Sequence, residues 1–234
     1  MSEPVPALVT LHVWRVTPSS VPGAVLRMGR DRTRVRRTPG LRFAKLLGTG
    51  DGRTFTARDA DPLRWGLLAT WTSTEAARAF DRTSPVAAAW GRLAEESWRV
   101  DLRPVSSHGA WSGRTPFGSP VPVRHEGPVA ALTRARLRVG AARTFWRSVP
   151  PVSTDLRARP GLLTAFGIGE APLGLQGTFS LWDSGLAVRE FARGPEHAAV
   201  VARTAPERWY AEELFARFAV TGSAGTLDGR DPLA

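Results

Sequence analysis

The chain has no cysteine, which excludes a disulfide framework, a thiolate nucleophile, an iron–sulfur cluster and thiolate-held haem or zinc. Any metal must therefore use histidine, carboxylate or the single tyrosine, Tyr210. Four histidines remain as the soft ligands and as the groups that titrate near neutrality. His12 sits in an apolar run that reads as a strand, and His108 and His125 fall in loops or at element ends, so all three read as surface or structural residues. His197 differs. It lies in a stretch of helical spacing after Phe191, beside the small residues Gly194, Ala198 and Ala199, where a flat group could approach closely. Its plainer reading is a partly buried imidazole bonded to a backbone carbonyl. No nucleophile elbow, Walker loop, dinucleotide fingerprint or zinc signature is present; Leu47-Gly48-Thr49-Gly50 is too short for a phosphate loop and lacks the following lysine. Glu95-Glu96 and Glu212-Glu213 read as solvated ends of helices.

The elements that must position these groups come in two sets. Pro39-Gly40-Leu41 recurs as Pro160-Gly161-Leu162 and Leu47-Gly48 as Ile168-Gly169. Across a shorter loop Trp71 matches Trp182, Arg78 matches Arg189, Phe80 matches Phe191 and Trp98 matches Trp209, a register that sets Val86 against His197. Gly109, Gly113 and Arg114 recur as Gly225, Gly229 and Arg230. Each copy opens on a strand (Leu8 to Val16, Val129 to Leu137) that leads into a helix ending at the Pro-Gly turn. A strand pair follows, Leu41 to Leu47 with Leu67 to Trp71, then Leu162 to Ile168 with Gly177 to Trp182. Long helices over Thr74 to Ser97 and Leu186 to Glu213, capped by Ser73 and Ser184, lead to last strands at Trp98 to Val105 and Leu214 to Val220.

The predicted fold class is thus α+β: a tandem duplication of the ferredoxin-like β-α-β-β-α-β unit, its two sheets facing each other as a dimeric α+β barrel in one chain. The boundaries are residues 1–115 for the first repeat, 116–127 for a proline- and glycine-rich linker, and 128–234 for the second repeat, the half with the distinctive histidine. A length of 234 residues suffices for two such cores. The net charge of +11 raises nucleic acid or an anionic membrane as a partner, but Lys45 is the sole lysine and the arginines are scattered. No specific nucleic-acid partner is expected. The start of the chain lacks a signal-peptide pattern and no run reaches membrane-spanning length, so a cytoplasmic protein is expected, one able to rest on a membrane.

Four sets of strings stand out: Pro39-Gly40-Leu41-Arg42-Phe43 with Lys45-Leu46-Leu47-Gly48-Thr49-Gly50, Ser107 to Gly113, Phe145-Trp146-Arg147-Ser148-Val149-Pro150-Pro151-Val152-Ser153, and Glu212 to Phe218. Together they resemble those of the spheroidene monooxygenase family, the carotenoid ketolases. The likeness runs from about Leu8 to Arg230. It implies haem b, dioxygen or peroxide as oxidant, an electron donor such as a ferredoxin, and oxidation of an allylic CH2 of an apolar small molecule, a carotenoid, to a ketone. It also implies His197 as the iron's axial ligand, and Arg147 and Arg203 as partners of the haem propionates. Trp146, Phe166, Phe179, Trp182 and Phe191 would be the apolar walls, and Gln176 a distal hydrogen-bond donor to bound oxygen. A carotenoid should enter through a long apolar opening rimmed by arginine. Two other readings stay open: a haem enzyme acting on a nitrogen-containing molecule by N-oxidation or dehydration, and a cofactor-free module that binds an anionic partner.

Overall fold

The computed structural model describes residues 3–53, 59–170, 177–204 and 206–234. The first copy runs β1 (Leu8–Val16), α1 (Val21–Val35), β2 (Leu41–Gly50), β3 (Ala60–Trp71), α2 (Thr74–Thr83), α3 (Pro85–Leu93) and β4 (Ala94–Gly109). The second runs β5 (Val129–Leu137), α4 (Ala142–Ala158), β6 (Leu162–Gly169), β7 (Gly177–Trp182), α5 (Gly185–Arg193), α6 (Pro195–Thr204) and β8 (Tyr210–Gly225). The strands close one antiparallel barrel in the order β1-β3-β2-β6-β7-β5-β8-β4, with the helices outside it.

Two seams join the copies, β2 to β6 and β4 to β8. In the first, Gly48 faces Gly169, its own equivalent; in the second, Arg103 faces Ala219, again its equivalent. A pseudo-twofold axis therefore passes through both seams. The barrel interior is filled by alternate residues of all eight strands, among them Val9, Leu11, Leu102, Leu132, Phe179 and Phe218. That alternation is the period of two that a half-buried strand demands.

Each predicted long helix is two shorter ones. Ser84 and Gly194 are extended, with ψ of 125° and 147°, and the chain restarts as a helix at Pro85 and Pro195. Proline crowds the preceding residue out of helical geometry and cannot donate to the turn before it, so the break follows from sequence. Ser73 and Ser184 do cap α2 and α5, accepting from Ala76 and Ala187 backbone N–H groups.

Aligning Pro85 with Pro195 moves the repeat register by one residue here. Ala87, not Val86, is then the counterpart of His197. On the last strands, Trp98 pairs with Gly225 while Leu214 pairs with Gly109, so Trp98 corresponds to Leu214 rather than Trp209. Glu95-Glu96 and Glu212-Glu213 also lie in β4 and β8, not at helix ends. Glu96 accepts from the Asp228 and Gly229 backbone N–H groups, and Glu212 from those of Ser112 and Gly113. Each copy thus holds the closing turn of the other. The proline-rich connection is anchored too, for Phe117 is fully buried and meets Phe218 edge to face at 4.9 Å.

Gly225 ends β8 at φ 84°, and a Cβ there would stand 2.1 Å from the Ser97 carbonyl oxygen. Gly225→Ala is expected to cost roughly 1–3 kcal/mol from the left-handed backbone alone, and more from the clash. Thermal unfolding of the variant checks this; an unchanged midpoint would contradict the tight crossing of β4 over this turn.

Candidate functional site

His197 lies in the first turn of α6. Its Nδ1 is 3.1 Å from the Ala192 carbonyl oxygen, which can only accept, so Nδ1 carries the proton and Nε2 keeps its lone pair. The ring sits 5.1 Å from that of Phe191, which in turn lies 5.5 Å from Trp182. Burial lowers the imidazole pKa below its ordinary value; the bond to Ala192 opposes this, the positive charge of Arg217 adds to it, and Asp155 opposes it. The net effect favours neutral imidazole, the form that binds a metal.

The other sequence candidates divide between separate regions. Trp182 and Phe191 lie with His197 between the second copy's helices and the sheet, together with Ala187 and Val188. Phe166 and Phe179 instead point into the barrel, their rings 5.4 Å apart, and Phe179 meets Trp98 edge to face. The strand alternation of β7 forces this split, since Phe179 and Trp182 are three residues apart and must face opposite sides. Arg147 and Trp146, on α4, are exposed. Arg203 is engaged elsewhere: it donates to Glu207 at 2.7 Å and to Ser148 Oγ at 2.9 Å, and its guanidinium lies over Trp209. Gln176 lies outside the described residues.

The space between helices and sheet is packed differently in the two copies. In the first copy fifteen buried apolar residues form one cluster, in which Trp14 stacks on Trp90 at 5.2 Å and Trp71 tilts onto Phe80 at 5.3 Å. The matching cluster in the second copy has three buried members among the described residues, Trp182, Ala187 and Val188, while Trp209, Val149 and Ala135 are buried apart from it. Trp146, Leu186, Val201 and Phe215 are exposed large apolar side chains of that same half. A duplicated scaffold has kept one continuous apolar layer in the first copy and a divided one in the second, beside His197.

A second polar constellation occupies one mouth of the barrel. Arg134, whose side chain is 4% exposed, pairs with Glu212 and, at 3.0 Å, with Glu170. Glu170 also accepts from Lys45 at 2.5 Å and from Trp111 Nε1 at 2.6 Å, and Lys45 donates to Ser112 Oγ at 2.7 Å. Burial raises the Glu170 pKa, but the bonds from Lys45 and Trp111 and the charges of Lys45 and Arg134 outweigh it, leaving the carboxyl below the usual range. At the pseudo-equivalent mouth Val13, Thr49, Phe166 and Leu227, buried and without charge, take the places of Arg134, Glu170, Lys45 and Trp111, while Glu96 keeps that of Glu212. Sequence reasoning missed this network, although the lone lysine in an arginine-rich chain was a signal. An open groove of about 560 Å³ borders it, lined by Ser112, Gly113, Arg134, Arg136, Glu170 and Glu212. That groove is charged and ion-paired, unlike the long apolar opening expected for a carotenoid; the exposed apolar groups lie instead on the second copy's helices and β8.

No family model matches the chain. Among curated proteins, a spheroidene monooxygenase of Rhodobacter capsulatus is 35% identical over 222 residues, spanning 92% of this chain and 90% of that protein. The spheroidene monooxygenases of Cereibacter sphaeroides and Rubrivivax gelatinosus are 36% and 39% identical, over 83% and 82% of this chain; the match spans 60% of the Cereibacter protein and 73% of the Rubrivivax one. Among solved structures, an aldoxime dehydratase superposes with a TM-score of 0.57 at 12% identity over 92% of this chain and 81% of its own. An aldoxime dehydratase in complex with butyraldoxime gives 0.58 at 11% identity over 91% and 79%. These two share the fold. The sequence relatives, matched along nearly the whole barrel, place the chain more closely: it belongs to the spheroidene monooxygenase family.

Proposed function

We propose that the chain is a haem-dependent monooxygenase that converts an allylic CH2 of an acyclic carotenoid to a ketone. The observation that carries the haem reading is His197, its Nδ1 bonded to the Ala192 carbonyl and its Nε2 without a hydrogen-bond partner among the described residues, beside the Phe191 and Trp182 rings. Among the described residues no three histidines or carboxylates come together as a metal site; His197 would hold the iron of a haem, a group that brings its other ligands with it. When bound, haem would supply activation of dioxygen, with electrons from a donor such as a ferredoxin.

The chain's own residues have the remaining tasks. The Ala192 carbonyl fixes the tautomer and direction of His197, as the outer partners of metal-bound imidazoles do. Trp182 and Phe191 give the flat cofactor an aromatic wall. Trp146, Leu186, Val201 and Phe215, apolar and exposed, offer contact to a long hydrocarbon or to the lipid phase that dissolves it. No helix among the described residues is long and apolar enough to cross a membrane, so such contact would be peripheral.

The test is direct. The purified chain titrated with haemin should develop a Soret band, and the haem-loaded protein given spheroidene, dioxygen and reduced ferredoxin should yield the ketone with oxygen derived from labelled dioxygen. A chain that takes up no haemin would overturn the cofactor; haem uptake with no carotenoid product would overturn the substrate.

A further inference from the structure

The helix–sheet layer of the first copy is neutralised internally. His12 Nε2 bonds Asp81 at 2.8 Å, and Arg99 reaches Asp81 and Asp101 at 2.7 Å each. Strand register carries these positions onto the second copy. Val9 pairs with Leu102 where Ala130 pairs with Phe218, so β4 Asp101 corresponds to β8 Arg217. The serine caps of α2 and α5 set Asp81 against Ala192 and Arg78 against Arg189. Both acids are gone from the second copy, and a guanidinium stands in place of one.

Arg189 and Arg217 converge over the start of β5. A Cβ at Gly185 would meet Arg189 Nη1 at 3.5 Å and Val129 Cγ2 at 3.8 Å, so the Arg189 guanidinium folds back toward that strand. Two residues along β5, Ala131 pairs with Arg217. The side chain of Arg217 is on the outer face of β8, since Leu214, Ala216 and Phe218 face the barrel. Among the described residues neither arginine has a carboxylate within 4.0 Å or a hydrogen-bond partner. Burial and the charge of Arg189 both lower the Arg217 pKa, and the charge of Arg217 is felt at His197. Arg189 is exposed and Arg217 partly buried, and a partly buried guanidinium with a like charge beside it is costly unless something neutralises it.

We propose that Arg189 and Arg217 form a subsite for the carboxylates of the ligand that His197 holds. This rests on the haem reading above, in which those carboxylates are the propionates. It replaces the expectation of Arg203, which is already bonded to Glu207 and Ser148. Guanidinium planes bind carboxylates with two parallel N–H donors, so the pair suits groups that a surface lysine would hold less well.

Haemin and its dimethyl ester, in which both propionates are uncharged, separate this anion site from haem binding in general. Wild type should bind haemin more tightly than the ester, followed by the Soret band. Arg217→Gln and Arg189→Gln should each weaken haemin about tenfold to a hundredfold, the range for hydrogen bonds to charged groups, and leave the ester unchanged. The unfolding midpoint of the haem-free variants should rise, because a repelling pair is broken; that measurement also shows that they fold. Equal affinity of wild type for haemin and ester, or haemin binding unaffected in both variants, would overturn the subsite alone. No Soret band with either compound in wild type would overturn the haem reading and the subsite with it.

Discussion

His197→Ala is expected to abolish the Soret band that haemin produces with the wild-type chain, while the barrel still folds. The imidazole gives the fold one hydrogen bond, to the Ala192 carbonyl, so its loss should cost about 1 kcal/mol of stability. Alanine is also the residue at the matching place of the first copy, where Ala87 sits in α3 against a fully packed layer. The other histidines serve as controls of unequal kind. His108 is exposed and His125 bonds the Pro128 carbonyl, so their alanine variants should keep both fold and Soret band. His12 is buried, bonded to Asp81 and stacked on Trp14 at 5.5 Å, so His12→Ala should lower the unfolding midpoint yet retain the band. Haemin titration beside thermal unfolding distinguishes these outcomes. If His197→Ala kept wild-type affinity and spectrum while another variant lost them, the iron would belong elsewhere.

The duplication was legible because its markers are residues with little freedom. Pro39-Gly40 and Pro160-Gly161 turn the chain into β2 and β6 through glycines at φ 75° and 81°, and Gly109 and Gly225 end the last strands at 90° and 84°. Such positions tolerate few other residues, so their order in sequence reports the order of elements. The helix break was equally written in Pro85 and Pro195, but apolar spacing continued across both and masked it. Strand membership of Glu95-Glu96 and Glu212-Glu213 was hidden for a related reason. Adjacent charges look like a solvated helix end, whereas here Glu96 and Glu212 are drawn to turn N–H groups brought by the other copy, a contact no local pattern encodes. The candidate site was legible at the level of one side chain. His197 was an imidazole out of place in its repeat, but Phe166 and Phe179 were grouped with it by aromatic character when strand alternation sends them into the barrel. The Arg189 and Arg217 pair needed the register of β8, which makes Arg217 the repeat counterpart of Asp101 only once Trp98 is matched to Leu214.

Arg134→Val should be among the most destabilising single changes in the chain, and a second substitution should recover part of the loss. Arg134 is enclosed by Glu170, Glu212 and the face of Trp111, 5.6 Å away. Removing it leaves Glu212 without its cation and Glu170 with Lys45 alone, the two carboxylates now unbridged. Breaking a buried ion pair in this way costs about 3–5 kcal/mol, which lowers the midpoint by roughly 6–20 °C in a chain of this size. The first copy shows the neutral solution, Val13 and Thr49 at the places of Arg134 and Glu170. Arg134→Val combined with Glu170→Thr should therefore be more stable than Arg134→Val alone, since Glu212 keeps its bonds from Ser112 and Gly113. Acid should shrink the difference from wild type. Burial raises both carboxyl pKa values, yet the bonds to Lys45, Trp111, Ser112, Gly113 and Arg134 carry both below the ordinary range. A carboxyl depressed in the folded state contributes stability that is complete above its unfolded pKa, near 4.5, and is lost as pH falls through the lower folded value. Midpoints measured at neutral pH and again near pH 3 should thus converge for wild type and Arg134→Val. A neutral-pH cost below about 1 kcal/mol, the value of an exposed pair, or no gain from Glu170→Thr, would mean that the barrel mouth is held by its aromatic and backbone contacts and not by the buried arginine.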